Sequence, residues 1–210
     1  MTYKLVTTTE RKYYKYSDTD ITYPAANTDI PFLTNFSLLG NNSGLGVKAT
    51  SYYAANNAYY YPWWAFTNNN NQAWVTNNGY PNRIAWSTPE LFKPSYVEVK
   101  NATANFPRAG SLDYSDNGED WTTVQSWTSS GGASAVWTIT PPSDYAGFHK
   151  YYSLYITSGS NATFNDVFLI TCVGTYRKIT EGTPSDYDYY EDVVNYKSPV
   201  DSNTHQAVVT

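Results

Sequence analysis

Apolar and polar residues alternate at period two along much of this chain, while the period of an amphipathic helix is almost absent. Val97 and Val99 alternate with Glu98 and Lys100, Trp137 and Ile139 flank Thr138, and Tyr152, Leu154 and Ile156 repeat the pattern. Alternation puts the apolar side chains on one face of a strand, so each stretch predicts a half-buried β-strand. Turn signals lie between them. Asn78-Gly79 and Asn117-Gly118 suit tight reversals because both residue types tolerate positive φ. Pro141-Pro142 and Ser158-Gly159-Ser160-Asn161 break strands with no helix to follow. Short strands and frequent turns predict an all-β chain folded as an antiparallel sandwich or barrel.

Composition decides whether that sandwich has a core. With 210 residues, 41% of them apolar, the chain can fill one sizeable domain plus arms. Aromatics make up 18%, with 22 Tyr and 7 Trp, which separates it from a disordered spacer. Tyr and Trp carry a polar tip on an apolar body and suit binding surfaces as well as half-buried cores. A net charge of −5 and a pI near 4.9 argue against nucleic acid or an anionic membrane as main partner. No apolar run is long enough for a transmembrane helix, and residues 1–10 show no apolar signal-peptide core. Cys172, in the run Val167–Val173, is expected to be a buried strand residue.

The ends differ from the middle. Residues 1–16 carry Lys4, Arg11, Lys12 and Lys15 against Glu10. Residues 176–210 carry Glu181, Asp186, Asp188, Glu191, Asp192 and Asp201 against Arg177, Lys178 and Lys197. The expected organisation is an N-terminal arm at 1–31, a sandwich at 32–174 and an acidic, Tyr-rich C-terminal arm at 175–210.

Three ordered stretches carry a resemblance. The first is Val47-Lys48-Ala49-Thr50-Ser51-Tyr52 followed by Trp64-Ala65-Phe66 and the asparagine run up to Trp74. The second runs from Gly110-Ser111-Leu112-Asp113-Tyr114 through Asn117-Gly118 to Trp121 and Val124. The third is Tyr151–Thr157, then Phe164–Leu169. Over roughly two thirds of the chain they resemble the discoidin, or coagulation-factor type C, family. That resemblance implies a jelly-roll, galactose-binding-like β-sandwich, often binding carbohydrate through loops at one end. The lead-in Pro31–Ser37, with Lys12-Tyr13-Tyr14-Lys15-Tyr16 before it, is similar to the version in bacteriophage tail and virion proteins. It implies a non-enzymatic part of a particle surface.

The resemblance also gives the run Thr67–Gln72 a role. In the family the residues after Ala-Phe form a tight loop around a structural calcium, with the later Trp packed beneath. Phe66 and Trp74 match those anchors, so the asparagines are expected in an ordered loop, where their short amides bond nearby backbone. Thr67, Asn69 and Asp166 are the expected calcium ligands. Thr67 stands where the family has a carboxylate, and Asp166 is one methylene shorter than the family's Glu. Calcium needs six to eight oxygens, so a metal-free loop cross-linked by asparagine hydrogen bonds is the alternative.

Catalytic patterns fail on inspection. Asp113, Asp116, Glu119 and Asp120 would start a calcium loop of EF-hand type with Gly118 at its sixth position, but its twelfth is Val124 instead of Glu. Those acids are read as solvating a hairpin turn. His149 and His205 are the only histidines, and no nucleophile elbow, zinc-protease helix or phosphate loop is present.

A sugar site needs an aromatic face with fixed polar groups around it. Trp63, Tyr80, Asn82, Arg83 and Arg108 are the candidates, while Trp64, Trp74, Trp86 and Trp121 are read as core. The expected function is adhesion of a virion protein to a bacterial-surface or mucosal glycan. The alternatives are a purely structural virion subunit and a secreted bacterial lectin module. The arms are expected to attach the protein to its own copies or other virion subunits, unless they pair with each other.

Overall fold

A computed structural model describes residues 6–23, 47–50, 62–66, 73–77, 79–101, 104–129, 131–162, 166–197 and 204–209. The chain divides into two compact units, residues 19–176 and residues 1–18 with 177–210. Two strands cross the division: β1 (Val6–Tyr23) between Asp18 and Thr19, and β9 (Asp166–Glu181) between Tyr176 and Arg177.

The larger unit contains β2 (Val47–Ala49), a 3-10 turn (Pro62–Phe66), β3 (Trp74–Val75), β4 (Asn82–Asn101) and β5 (Pro107–Ser115). β6 (Thr122–Thr128), β7 (Val136–Ile139) and β8 (His149–Gly159) follow. Neighbouring strands run β9-β4-β8-β5-β6, with β2 and β7 also on β4 and β3 on β9. All registered pairs here are antiparallel. The β4–β8 ladder shifts between Ser87 and Phe92. Pro89 lies inside that gap and has no N–H to give the ladder. Thr88 Oγ1 bridges the irregularity, donating to the Glu90 carbonyl at 2.7 Å and approaching the Lys150 carbonyl at 3.1 Å.

The apolar positions of the sequence alternation are buried, although Ser153 between Tyr152 and Leu154 is buried as well. Val97, Val99, Tyr152 and Ile156 are fully buried, and Leu154 is 1% exposed. Phe66 and Trp74 are fully buried beside them, anchoring both ends of the asparagine run; residues 67–72 themselves lie outside the described residues. The Phe66 and Trp86 rings meet at 5.4 Å between centroids, and Phe92 stands edge-on to Tyr152 at 5.7 Å. Each large side chain buried here stabilises the fold by about 2–3 kcal/mol. Cys172 is buried in β9 as expected, and burial pushes its thiol pKa up.

The smaller unit is built differently. β1 pairs antiparallel with β10 (Tyr189–Lys197) from Val6↔Lys197 to Tyr14↔Tyr189, and β10 pairs with β11 (Thr204–Val209). The two arms therefore pair with each other within one chain. Opposite charges of the two ends meet across this pairing: Arg11 makes a two-pronged contact to Asp192 at 2.8 and 2.9 Å. Lys15 reaches Asp186 at 2.7 and 2.5 Å, and Arg177 reaches Asp18 at 2.9 and 2.7 Å. Tyr14 stacks on Tyr189 at 4.8 Å, and Tyr13 meets Tyr187 at 4.9 Å. Val193 is the only buried hydrophobic residue among this unit's described side chains.

Candidate functional site

The face of the sheet turned away from the core carries a row of side chains fixed by register. Lys48 pairs with Ala85, Ala85 with Ser153, Ser153 with Asp113, and Asp113 with Thr123, crossing β2, β4, β8, β5 and β6. Arg83 and its partner Tyr155 stand in the adjacent row. Strand alternation sends Ile84, Trp86, Leu154 and Leu112 to the core and leaves these residues on the other side.

Arg83 is the organising group. Its backbone is clipped to Thr50, whose N–H donates to the Arg83 carbonyl at 2.9 Å while the Arg83 N–H donates to Thr50 Oγ1 at 2.9 Å. Its Nη1 donates to Asp113 Oδ2 at 2.7 Å and to Ser153 Oγ. Thr123 Oγ1 donates to the other oxygen, Asp113 Oδ1, at 3.0 Å. The guanidinium carbon lies over the rings of Trp121 and Tyr155, 4.8 and 4.6 Å from their centroids. A planar cation held by a carboxylate, a hydroxyl and two π faces has little freedom left, so this side chain is preorganised.

A pocket of about 240 Å³ opens here, lined by Lys48, Thr50, Arg83, Ala85, Gly118 and Trp121. Ala85 is 2% exposed and supplies a small floor between longer neighbours. Gly118 belongs to the turn between β5 and β6, where its φ of +78° favours glycine. Ser115 Oγ accepts the Gly118 N–H at 2.9 Å, and Asn117 Oδ1 accepts the N–H groups of Glu119 and Asp120 at 2.9 Å each. This cross-linked turn delivers Trp121 to the pocket wall at the start of β6. A half-exposed indole beside fixed polar groups and an ammonium is suited to a polar ligand with one apolar face.

Of the expected sugar-site residues, Arg83 lines this pocket. Asn82 does not serve as an accessible amide: it is 1% exposed, and its side-chain N–H donates to the Gly79 carbonyl, closing the turn. Tyr80 is half-buried, and its hydroxyl donates to the Asn161 carbonyl at 2.9 Å. Arg108 is exposed near the start of β5, 5.7 Å from the Phe106 ring centroid. Trp63 lies in the 3-10 turn, and its side chain is outside the described residues.

Two readings need correction. Trp121 is half-exposed on the pocket wall instead of packed in the core like Trp74 and Trp86. Asp113 does not solvate a turn; it is 3% exposed and ion-paired to Arg83, because strand pairing with Ser153 turns it onto this face. The other acids differ from it. Asp120 accepts from the Asn117 amide at 2.8 Å, and Asp116 Oδ1 lies 2.7 Å from His149 Nδ1. His149 is stacked on Tyr114 at 3.5 Å, an aromatic packing position.

The expected calcium ligands Thr67 and Asn69 lie outside the described residues, as does the Asp166 side chain. The backbone of Asp166 pairs with Val75, close in sequence to the end of the asparagine run. Among the described residues no cluster of three or more His, Cys, Asp or Glu side chains could hold a metal.

No known family's sequence pattern matches the chain, and no curated protein matches it either. Solved structures do. A family 32 carbohydrate-binding module from Clostridium perfringens, in complex with GalNAc-β-1,3-galactose, matches with a TM-score of 0.52 at 13% identity, covering 60% of this chain and 92% of that one. The family 32 module of C. perfringens NanJ, in complex with galactose, matches at 0.51 and 17%, covering 60% and 91%. The family 32 module of AlyQ, in complex with 4,5-unsaturated mannuronic acid, matches at 0.50 and 18%, covering 60% and 92%. At these identities the likeness defines the fold: an antiparallel, galactose-binding-like β-sandwich, the fold expected from the discoidin resemblance.

Proposed function

We propose that this protein is a non-enzymatic, glycan-binding subunit of a bacteriophage particle, with the pocket between Lys48, Arg83 and Trp121 as its sugar site. The observation that carries the reading is the preorganised Arg83, locked by Asp113, Ser153 and two rings beside a half-exposed tryptophan. The similar solved modules are carbohydrate-binding, which supports a saccharide ligand. The phage setting rests on the lead-in resemblance at residues 12–16 and 31–37 and on the tyrosine-rich arm unit, whose Tyr187 and Tyr190 are exposed at 43% and 46%. That exposed surface is also what favours the second reading, a structural virion subunit that contacts its own copies or other subunits.

A glycan array with the purified chain, repeated with Trp121→Ala and Trp63→Ala, tests the site. Binding that Trp121→Ala abolishes and Trp63→Ala preserves supports the pocket; the reverse pattern moves the site to the Pro62–Phe66 turn. An array with no signal favours the structural reading. Calcium at Thr67, Asn69 and Asp166 is part of the same proposal. Chelation should lower the melting temperature by mass action, and an unchanged melting curve would leave the loop metal-free.

A further inference from the structure

The polar contacts of the pocket do not use up its positive charge. Asp113 neutralises Arg83, and both of its oxygens are occupied, one by Arg83 Nη1 and one by Thr123 Oγ1. Only Nη1 of the guanidinium donates a hydrogen bond among the described residues, so the Nε and Nη2 donors are left for a ligand. Lys48 lines the same pocket and forms no ion pair with any carboxylate among the described residues. The nearest acidic turn, with Glu119 and Asp120, contributes Gly118 to the pocket lining instead of a carboxylate. Among the described residues one ammonium is therefore unneutralised beside a guanidinium edge, in a chain whose overall charge is −5. General basicity cannot account for it. Apolar walls from Trp121 and Ala85 lower the local dielectric and strengthen any charge pairing made inside.

We infer that the saccharide taken by this pocket is acidic, with an anionic group on the sugar ring held between the Lys48 ammonium and the free edge of Arg83. The inference rests on the proposed glycan site and narrows its ligand class. A ring carboxylate would meet Arg83 as a fork and Lys48 as a point charge, while Trp121 takes the apolar face of the sugar. A sulfate ester offers the same anionic oxygens.

The test is calorimetric titration of the full chain with oligogalacturonate and oligomannuronate, each against its methyl ester, and with one sulfated neutral oligosaccharide. The ester keeps the ring and removes only the charge. An acidic oligosaccharide should bind at least about tenfold tighter than its ester, since a charge-assisted hydrogen bond is worth more than a tenfold step in affinity. Preference for the sulfated saccharide alone also supports the inference and names sulfate as the anion. Lys48→Met should lose about tenfold for the acid and leave the ester unaffected, whereas Lys48→Arg should retain the preference. Unchanged melting temperatures of both variants would show that the fold is intact.

Equal affinity for acid and ester with no preference for the sulfated saccharide, or an unaltered preference in Lys48→Met, overturns the inference. If neutral sugars bind and Trp121→Ala abolishes that binding, the glycan reading stands while the acidic one falls. Failure of every saccharide to bind removes both.

Discussion

The two units reach order by different means. Residues 19–176 bury Trp86, Phe92, Tyr152 and Ile156 completely, whereas the described part of the smaller unit buries Val193 alone. The arms instead carry tyrosine ladders on their strands and three ion pairs with exposed members. Exposed pairs add little because water and salt screen them, so the arms owe more to backbone pairing and ring contacts. Among its described side chains this sheet has almost no core, so its stability should be shallow and local.

The sharpest way to break this contrast is to remove core volume in each unit. Trp86→Ala should cost about 3–5 kcal/mol, because a fully buried ring leaves a cavity that the sandwich closes only partly. Val193→Ala should cost about 1.5 kcal/mol, from two buried methyl groups at ~0.8 kcal/mol each. Urea unfolding read with hydrogen exchange in β5 and β10 separates them. Comparable losses from both substitutions would mean that the smaller unit has a core of its own.

Next in size is the ion pair beneath the pocket. Asp113→Ala leaves Arg83 largely buried without its counter-charge and should cost about 3 kcal/mol. Arg83→Met with Asp113→Leu should cost less than that single change, since no charge is then stranded. No single arm ion pair should show such an effect, because Arg11 and Asp192 remain in water. A double variant worse than the single one would sink this account.

These expectations show where the sequence was readable. Val97, Val99, Leu154 and Ile156 announced the core because alternation is local and needs no partner. Arg83 was visible as a cation near a turn, but its companions were not. Asp113 and Trp121 lie 30 and more residues away, and their shared face depends on pairing Asp113 with Ser153 and Thr123. That register shifts at a bulge between Leu112 and Asp113, which no local pattern records. The family resemblance puts Trp121 at a position that packs the sandwich, which is why the sequence points to core there. Its spacing of two from Thr123 would have pointed outward had the face of Thr123 been known. The complementary charges of the arms were countable, but a sum of charges does not say whether they meet within one chain or between chains.

Alkaline titration should separate the units more gently. Burial pushes the Tyr145 phenol from 10.0 up to about 12, and raises Tyr152 as well. A phenol whose folded pKa is raised binds its proton more tightly when folded. Its contribution is present in full below pH 10 and is lost as pH rises through about 12. Tyrosinate absorbance should therefore lag behind free tyrosine and then rise together with loss of β-sheet ellipticity. Tyr145→Phe should blunt this limb. An unaltered alkaline transition in that variant would assign it to other groups.

The smallest effect is expected from acid on the arms. The Arg11 hydrogen bond holds the Asp192 carboxyl below its ordinary value of 3.8. A depressed carboxyl stabilises the fold above its unfolded pKa, and that contribution fades as pH falls through the lower folded value. The Asp186 hydrogen bond raises Lys15 and the Asp18 hydrogen bond raises Arg177, so those gains fade only above the ordinary lysine and arginine values. Between these limits the pairing of β1 with β10 should be nearly flat in pH, and below pH 4 it should loosen slightly. Salt should act in the same direction, since at physiological ionic strength fields are already screened within about 8 Å. Hydrogen exchange of the β10 amides should therefore rise modestly in acid or high salt, and Asp192→Asn should remove most of the acid response. The ring contacts Tyr14–Tyr189 and Tyr13–Tyr187 should hold the strands together throughout. Complete exchange of β10 in high salt at neutral pH would show that the ion pairs, and not the rings and backbone, hold the arms.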